Sequence, residues 1–498
     1  MRKATVILLV ALIFFVCGCN RNKTVDQSAK LDRCLLSDDL VCAERILTDW
    51  VATLDDTNPD KVQMLANLGS IRMSLLKYDQ AEAAAREIIA KHFNDKPQVY
   101  RAFLILAQRT LRTRSITYPQ QFEGIISATP KSETAREALI GMSEEALRRD
   151  NIDQALEICE KTIPEHGGDK SQVLRCFLQA DRWFDSVGDQ ENREKALKRA
   201  QTVIHDGDLI DRLRLAQVRF ATKAGRFDEA KAILADWTPQ SENGKSELAA
   251  ARLWAFFFGM PTDENTILQS LHMIADDELK TGTIPVLVHA ISNGVGDAGT
   301  KWESEIRNLS HRIKSHTAIA RITLAGEHLR IMFGDSAAKE QAVRGIEKIL
   351  KQSYQPDVLE YALALYSTYP PLPRLEEALD RVEAVGERFK SDPFLASQAL
   401  LAQGMLQSQS DNPQAAIETL RSFKTKWRYY YGHVLNRKGH YSISKYYGPL
   451  LAQLTLFLLQ DKTSAYEETL SRTNDLPYDA WKIGVDSSKK THLNKNPH

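Results

Sequence analysis

The sequence predicts an all-α chain built as a solenoid of helix–turn–helix hairpins stacked in series. Three observations carry that expectation. From about Lys30 onward apolar residues recur at three- and four-residue spacing, and alternating strand-like runs are scarce. Glycine is low, at 24 of 498 residues, and the chain is rich in the good helix formers Ala, Leu, Glu, Lys, Arg and Gln. Short polar turns followed by a small residue recur at intervals close to the length of one helical hairpin. The charge balance, 65 basic against 65 acidic residues, argues against a dedicated nucleic-acid binder and against a disordered chain. No series of apolar runs of about 18 residues is present, which argues against a polytopic membrane protein.

The N-terminus reads as an address. Arg2 and Lys3 precede 11 apolar residues from Val6 to Val16, and Cys17-Gly18-Cys19-Asn20 follows. A basic start, a short apolar run and a small residue at its exit predict a secretory signal peptide over residues 1–18. At about 1.5 Å per residue such a run covers roughly half of a bilayer core, too little for a permanent span. Val16-Cys17-Gly18-Cys19 resembles a bacterial lipobox, with Cys17 standing where Ala, Ser or Thr are commoner. The resemblance implies cleavage before Cys19 and acylation of Cys19, and each buried methylene adds about 0.8 kcal/mol of membrane affinity. Asn20 after the anchor, by the sorting rule of enteric bacteria, implies the outer membrane and a periplasm-facing chain. The alternative is an ordinary signal peptide that ends in cysteines. Residues 19–30 read as a lipidated polar tether.

The hairpins follow. From Val62 to Phe93, Leu68-Gly69 is followed by Tyr78 in a turn, then Ala81 and Ala85. This resembles the tetratricopeptide repeat, in which small residues at positions such as Gly69 and Ala81 let two antiparallel helices approach closely. Asp150-Asn151-Ile152-Asp153-Gln154-Ala155, Gly225-Arg226-Phe227-Asp228-Glu229-Ala230 and Asp411-Asn412-Pro413-Gln414-Ala415-Ala416 repeat the layout, and looser copies centre on Ala43, Ala196, Ala378 and Ala465. A unit without the signature alanine fits between Ala81 and Ala155, its turn near Tyr118-Pro119. The expected organisation is a tetratricopeptide-like array over 31–240, a degenerate helical middle region over 241–368, a second such array over 369–485 and a polar tail over 486–498. Gly294 to Thr300 reads as a loop dividing two arrays, and Tyr369-Pro370-Pro371-Leu372-Pro373 as a rigid connector that cannot be helical. Leu253 to Phe258, apolar all round, reads as core.

Cys34, Cys42, Cys159 and Cys176 remain after the anchor, an even count that suits an oxidising compartment. Cys34 and Cys42 flank the Ser37-Asp38-Asp39 turn, while Cys159 and Cys176 fall on adjacent helices, so both local pairings are geometrically reasonable. Buried free thiols are the competing reading. Neither pair has the CxxC spacing or neighbouring histidines of a metal site. The sequence carries no HExxH and no GxSxG, so no catalytic residue, metal or cofactor is expected. Gly294-Val295-Gly296-Asp297-Ala298-Gly299 satisfies GxGxxG, but lacks the strand–helix setting and the later carboxylate of a dinucleotide site.

One segment departs from the even charge balance. Arg421 to Tyr447 holds seven Lys or Arg, no Asp or Glu, and eight aromatics. Lys424, Lys426, Trp427, Arg428, Tyr429, Tyr430, Tyr431, Arg437 and Lys438 are the candidate partner-binding residues, cations and rings that could hold an anionic glycan or anchor a peptide. Packing of the tyrosines between repeats is the plainer alternative. The resemblances imply a non-catalytic, lipid-anchored periplasmic scaffold that binds a protein partner of a cell-envelope machine for secretion, pilus, outer-membrane or polysaccharide-export work. The alternative is a peptidoglycan- or polysaccharide-binding accessory module using residues 421–447. No nucleotide or nucleic-acid partner is expected.

Overall fold

The computed structural model describes residues 21–114, 119–186, 189–205, 207–239, 241–274, 299–368, 374–410 and 413–435, with isolated positions between 452 and 465. The segments expected to be signal peptide, anchor, connector and tail lie outside these, as do most of the Gly294–Thr300 segment and the sequence beyond 465. The described residues are helical throughout, with no strand among them. The chain is an all-α array of paired helices.

The first compact unit holds the described residues through Ala180 together with Lys198–His205 and Lys314–Thr317. It contains α1 (Arg21–Leu36), α2 (Leu40–Ala52), α3 (Pro59–Ser74), α4 (Tyr78–Lys91), α5 (Lys96–Arg114), α6 (Pro119–Ala128), α7 (Glu133–Arg148) and α8 (Ile152–Glu157). Helix α1 begins at Arg21, so the residues expected as tether are helical from that point. Consecutive helices pack as antiparallel pairs, and α3, α5 and α7 also pack on one another as the first helices of successive hairpins. Helix α8 continues through a π-helical turn (Ile158–Thr162) into Ile163–Glu165. Pro164, without an N–H, removes one rung of the helical ladder there, and the wider turn absorbs the loss.

The second unit holds the described residues within Asp181–Leu197, Asp206–Ile313 and from Ala318 onward. Helices α9 (Lys170–Ser186) and α10 (Gln190–Val203) contribute residues to both units. Then follow α11 (Gly207–Lys223), α12 (Phe227–Ala235), α13 (Glu242–Phe257), α14 (Glu264–Met273), α15 (Gly299–Leu309), α16 (His316–Phe333), α17 (Ser336–Gln352), α18 (Pro356–Thr368), α19 (Leu375–Arg388), α20 (Pro393–Gln407) and α21 (Pro413–Leu435). Gly299 and Thr300, expected in a loop, open α15. Helix starts carry the caps expected of them: Ser132, Ser241, Asp263, Asp335 and Asp392 each accept a backbone N–H from the first turn. Leu253 and Ala255 are fully buried, whereas Trp254 and Phe256 are only partly so, and Phe258 stacks on Trp254.

Four hairpins close by one backbone rule. Asp38, Leu76, Asp150 and Gly225 all adopt left-handed φ, between 56° and 72°, five positions before Ala43, Ala81, Ala155 and Ala230. The next residue's N–H returns to a carbonyl five positions earlier: Asp39 to Cys34, Lys77 to Arg72, Asn151 to Ala146 and Arg226 to Ala221. The alanine of each hairpin is fully buried, as are Ala378 and Ala416. A β-carbon on Gly69 would meet Ile105 at 2.9 Å, and one on Gly404 would meet Leu420 at 2.6 Å. Small residues at these positions therefore set how closely the helices pack. In the α5–α6 hairpin Phe122 takes the alanine's place, fully buried, and Gly141 on α7 makes room, since a β-carbon there would sit 2.7 Å from the Phe122 ring.

The copy centred on Ala196 needs a correction of register. Asp189 N–H returns to Phe184 O, which aligns Asp189 with Asp39, Lys77, Asn151 and Arg226. The signature position four residues later is Arg193, not Ala196. Arg193 is 1% exposed, so a guanidinium occupies the place that alanine holds elsewhere.

Candidate functional site

The first helices of successive hairpins in the first unit share a polar face. On α3, Gln63 and Asn67 lie one turn apart, as do Gln98 and Arg101 on α5 and Glu133 and Glu137 on α7. Gln98 Nε2 donates to Gln63 Oε1, and Arg101 donates through Nη1 to Gln98 Oε1 at 3.0 Å and through Nη2 to Asn67 Oδ1 at 2.9 Å. Gln63 Nε2 also donates to Asn67 Oδ1, at 3.3 Å. Two donors converging on that oxygen fix the orientation of the Asn67 amide, and its fully buried Nδ2 is left without a partner. Further along, Arg175 pairs with Glu137, while Glu144 accepts from Arg112 (3.3 Å), Arg148 (2.9 Å) and Gln179 (2.7 Å).

The charges on this face are unequally matched. Burial pushes the Glu144 carboxyl up, but Arg112 and Arg148, with hydrogen bonds from Arg148 and Gln179, outweigh it and hold it below the usual carboxylate range. Glu133 is raised, first by burial and then by Glu137, against the pull of Arg136, Arg101 and Arg175. Among the described residues Arg101 makes no ion pair: both its hydrogen-bond partners are neutral amide oxygens, burial lowers its pKa, and Glu133 opposes that only at longer range. Sequence reasoning missed these residues. A signal for them was present, because the bonded partners Asn67 and Arg101 lie 34 positions apart and Gln63 and Gln98 lie 35 apart, one hairpin length each.

A second polar cluster lies in the other unit. Arg193 donates to Asp181 at 2.6 Å and to Asp185 at 2.8 Å, and Lys223 donates to Asp185 at 2.6 Å. Burial works against the Asp185 carboxylate, yet Arg193 and Lys223 hold its pKa down. The Phe220 ring lies 5.2 Å from the Arg193 guanidinium carbon. Each carboxylate here is met by a cation, and Arg219 adds to the positive field on Asp185.

Of the residues singled out from sequence, Cys19, Arg437 and Lys438 lie outside the described residues. Lys424, Lys426, Trp427, Arg428, Tyr429, Tyr430 and Tyr431 are on helix α21; Lys424 is half-buried. Phe423, one of the eight aromatics of that segment, is fully buried core. Cys34 and Cys42 form a disulfide with Cα atoms 5.8 Å apart, and Cys159 and Cys176 form another at 5.4 Å, the former cysteine of that pair sitting in the π-helical turn. Among the described residues no group of three or more His, Cys, Asp and Glu is placed to hold a metal, and no helix is long and apolar enough to cross a membrane.

No protein family matches the sequence, and no curated protein matches it. Among solved structures, the crystal structure of the APC/C hetero-tetramer Cut9-Hcn1 is similar, with a TM-score of 0.29 and 10% identity over 100% of this chain and 96% of that one. A likeness that slight carries nothing about function.

Proposed function

We propose that this chain is a non-catalytic scaffold that binds a protein partner, anchored by lipid at Cys19 to the outer membrane with its helical array in the periplasm. The observation that carries the partner-binding reading is the polar face of α3, α5 and α7, where hydrogen-bonding groups stand on successive first helices, one set per hairpin. Repeat arrays present extended surfaces of this kind to partners. The anchor rests on the lipobox-like Val16-Cys17-Gly18-Cys19, and the envelope location follows from it.

Two measurements test the proposal. Mass spectrometry of the N-terminal peptide is expected to find acyl chains on Cys19 in the wild type and none after Cys19→Ser; an unmodified wild-type N-terminus refutes the anchor. Crosslinking in intact envelopes, followed by capture and protein identification, is expected to recover a defined protein partner. Recovery of glycan alone, lost on replacing Trp427 and Arg428 by Ala, would instead favour the carbohydrate-binding module.

A further inference from the structure

We infer that the outer face of the α1–α2 hairpin docks on an anionic phospholipid surface; the inference rests on the lipid-anchor reading and says how the anchored chain meets its membrane. Both helices contribute to the face. On α1, Lys30, Arg33 and Leu36 follow one another at three-residue steps and are exposed, and on α2 Val41 and Arg45 are exposed one turn apart. Leu36, at 74%, is the most exposed large apolar side chain among the described residues, and Val41, at 46%, stands across the turn from it. The Cys34–Cys42 disulfide joins the two helices beside this pair, so a fixed hairpin presents them rather than a loose end. The acids of the hairpin are mostly turned to other work. Glu44 accepts from Arg72 at 3.3 Å and from Lys77 at 2.6 Å, Asp39 caps α2 by accepting the Cys42 N–H, Asp38 is buried and Asp32 is only partly exposed. Asp49, the exposed exception on α2, lies two turns beyond Val41. Apolar side chains ringed by cations suit an anionic interface, where the first leave water and the second meet headgroup phosphates.

The position of the anchor selects lipid as the occupant. Helix α1 begins at Arg21, two residues after Cys19, and two residues reach at most about 7 Å. An acylated Cys19 therefore holds the start of α1 at the bilayer with almost no slack. The first turn of the helix carries Arg21 and Lys23 and no acid. If α1 stood upright, its 16 residues would carry Leu36 about 24 Å from the anchor and leave Leu36 and Val41 in water. With α1 along the surface, Lys30, Arg33 and Arg45 reach the headgroups and the two apolar side chains enter the interface. The second arrangement gains on both counts. The anchor delivers this hairpin to a bilayer whatever else the chain binds, so lipid meets the face before any protein does.

The test is a chemical footprint of the mature full chain purified from envelopes, its N-terminal peptide weighed first. The protein is reconstituted on vesicles of phosphatidylethanolamine with phosphatidylglycerol, and on vesicles of phosphatidylcholine alone. Neutral amine- and guanidine-directed reagents are then applied and read by peptide mass spectrometry. One cation near an anionic surface is worth about fivefold in partitioning. Lys30 and Arg45 are therefore expected to label at least fivefold more slowly on the phosphatidylglycerol vesicles, while Lys161, exposed on the fourth hairpin, labels equally on both. Raising salt from about 0.1 M to about 1 M, which shortens the screening length from about 10 Å to about 3 Å, should restore most of the labelling, a readout that needs no variant to fold. Replacing Leu36 and Val41 together by Gln, both at exposed positions, should speed labelling of Lys30 and Arg45 on the anionic vesicles. Equal labelling on the two lipids, protection that ignores salt, or protection unaltered in the folded double variant would each overturn the assignment. Protection of Lys30 in intact envelopes but not on the anionic vesicles would give the face to a protein and overturn it too. If the acylated chain floats with both vesicles and labels alike, the docking face falls while the anchor stands. If an unacylated chain still floats with phosphatidylglycerol and protects Lys30, the anchor falls while the docking face stands.

Discussion

Acidification should destabilise the second unit through one residue, His328. It lies on α16, fully buried, with its Nδ1 hydrogen-bonded to the Tyr361 hydroxyl on α18 and its Nε2 without a partner. Burial lowers its pKa from 6.5 to about 3. The folded state thus holds the neutral ring, and the unfolded chain takes up the proton first. Stability from this site is complete above about pH 6.5 and is lost as the pH falls toward 3, at about 1.4 kcal/mol per pH unit. Between about pH 7.5 and pH 4.5 the loss is roughly 2 to 3 kcal/mol. Replacing His328 by Phe removes the titration and keeps a ring, so whatever it does to stability at neutral pH, its stability should change less over that interval by the same 2 to 3 kcal/mol. Urea unfolding by circular dichroism at the two pH values measures the difference, and hydrogen exchange of the peptide spanning α16 locates it. Equal pH dependence in the wild type and the variant would refute the reasoning, and would mean that the ring is hydrated or already charged in the folded protein.

Three further outcomes are expected. Arg193→Gln should cost about 3–5 kcal/mol, because Asp181 and Asp185 lose their shared buried cation, whereas Arg86→Gln should cost less than about 1; thermal midpoints compare them. Gly141→Ala should cost about 1–3 kcal/mol by crowding the Phe122 ring, and adding Phe122→Leu should recover part of it, which a double-mutant cycle reads as non-additivity. Non-reducing peptide mapping should recover Cys34 linked to Cys42 and Cys159 linked to Cys176, and Cys-to-Ser replacement of either pair should lower stability by about 2–3 kcal/mol on the chain-entropy account; four free thiols in protein isolated from the envelope would refute the pairing.

The hairpin repeat was legible because its requirement is local. A helix pair that packs closely needs a small residue at a fixed distance past the turn, and Ala43, Ala81, Ala155, Ala230, Ala378 and Ala416 are all buried where that spacing puts them. The register of the α9–α10 hairpin was not legible, since Arg193 is the residue type least expected at such a position and a nearby Ala196 draws the eye. What admits Arg193 is supplied from other helices, by Asp181, Asp185 and the Phe220 ring. Compensation of that kind leaves no trace in local spacing. The same holds for Phe122, which is tolerable only because Gly141 stands opposite it on α7. The pairing of Asn67 with Arg101 lies between these cases: each is an ordinary polar helix residue alone, and only the interval between them ties them together.

The shared turn bears on how such a chain can change over time. Because Asp38, Leu76, Asp150 and Gly225 close their hairpins by the same backbone path, the turns are interchangeable, and a duplication or deletion that cuts at equivalent points leaves each closure intact. The side chains impose a different limit. Hairpins joined mainly through alanine and leucine contacts can be exchanged as units, but the one carrying Arg193 depends on Lys223 of the following helix to balance Asp185, so the two must be inherited together. Recombination within this chain is therefore disfavoured at junctions that an ion pair of low exposure crosses: Arg193 and Lys223 on Asp185 tie α9, α10 and α11 together, and Arg175 on Glu137 ties α9 back to α7.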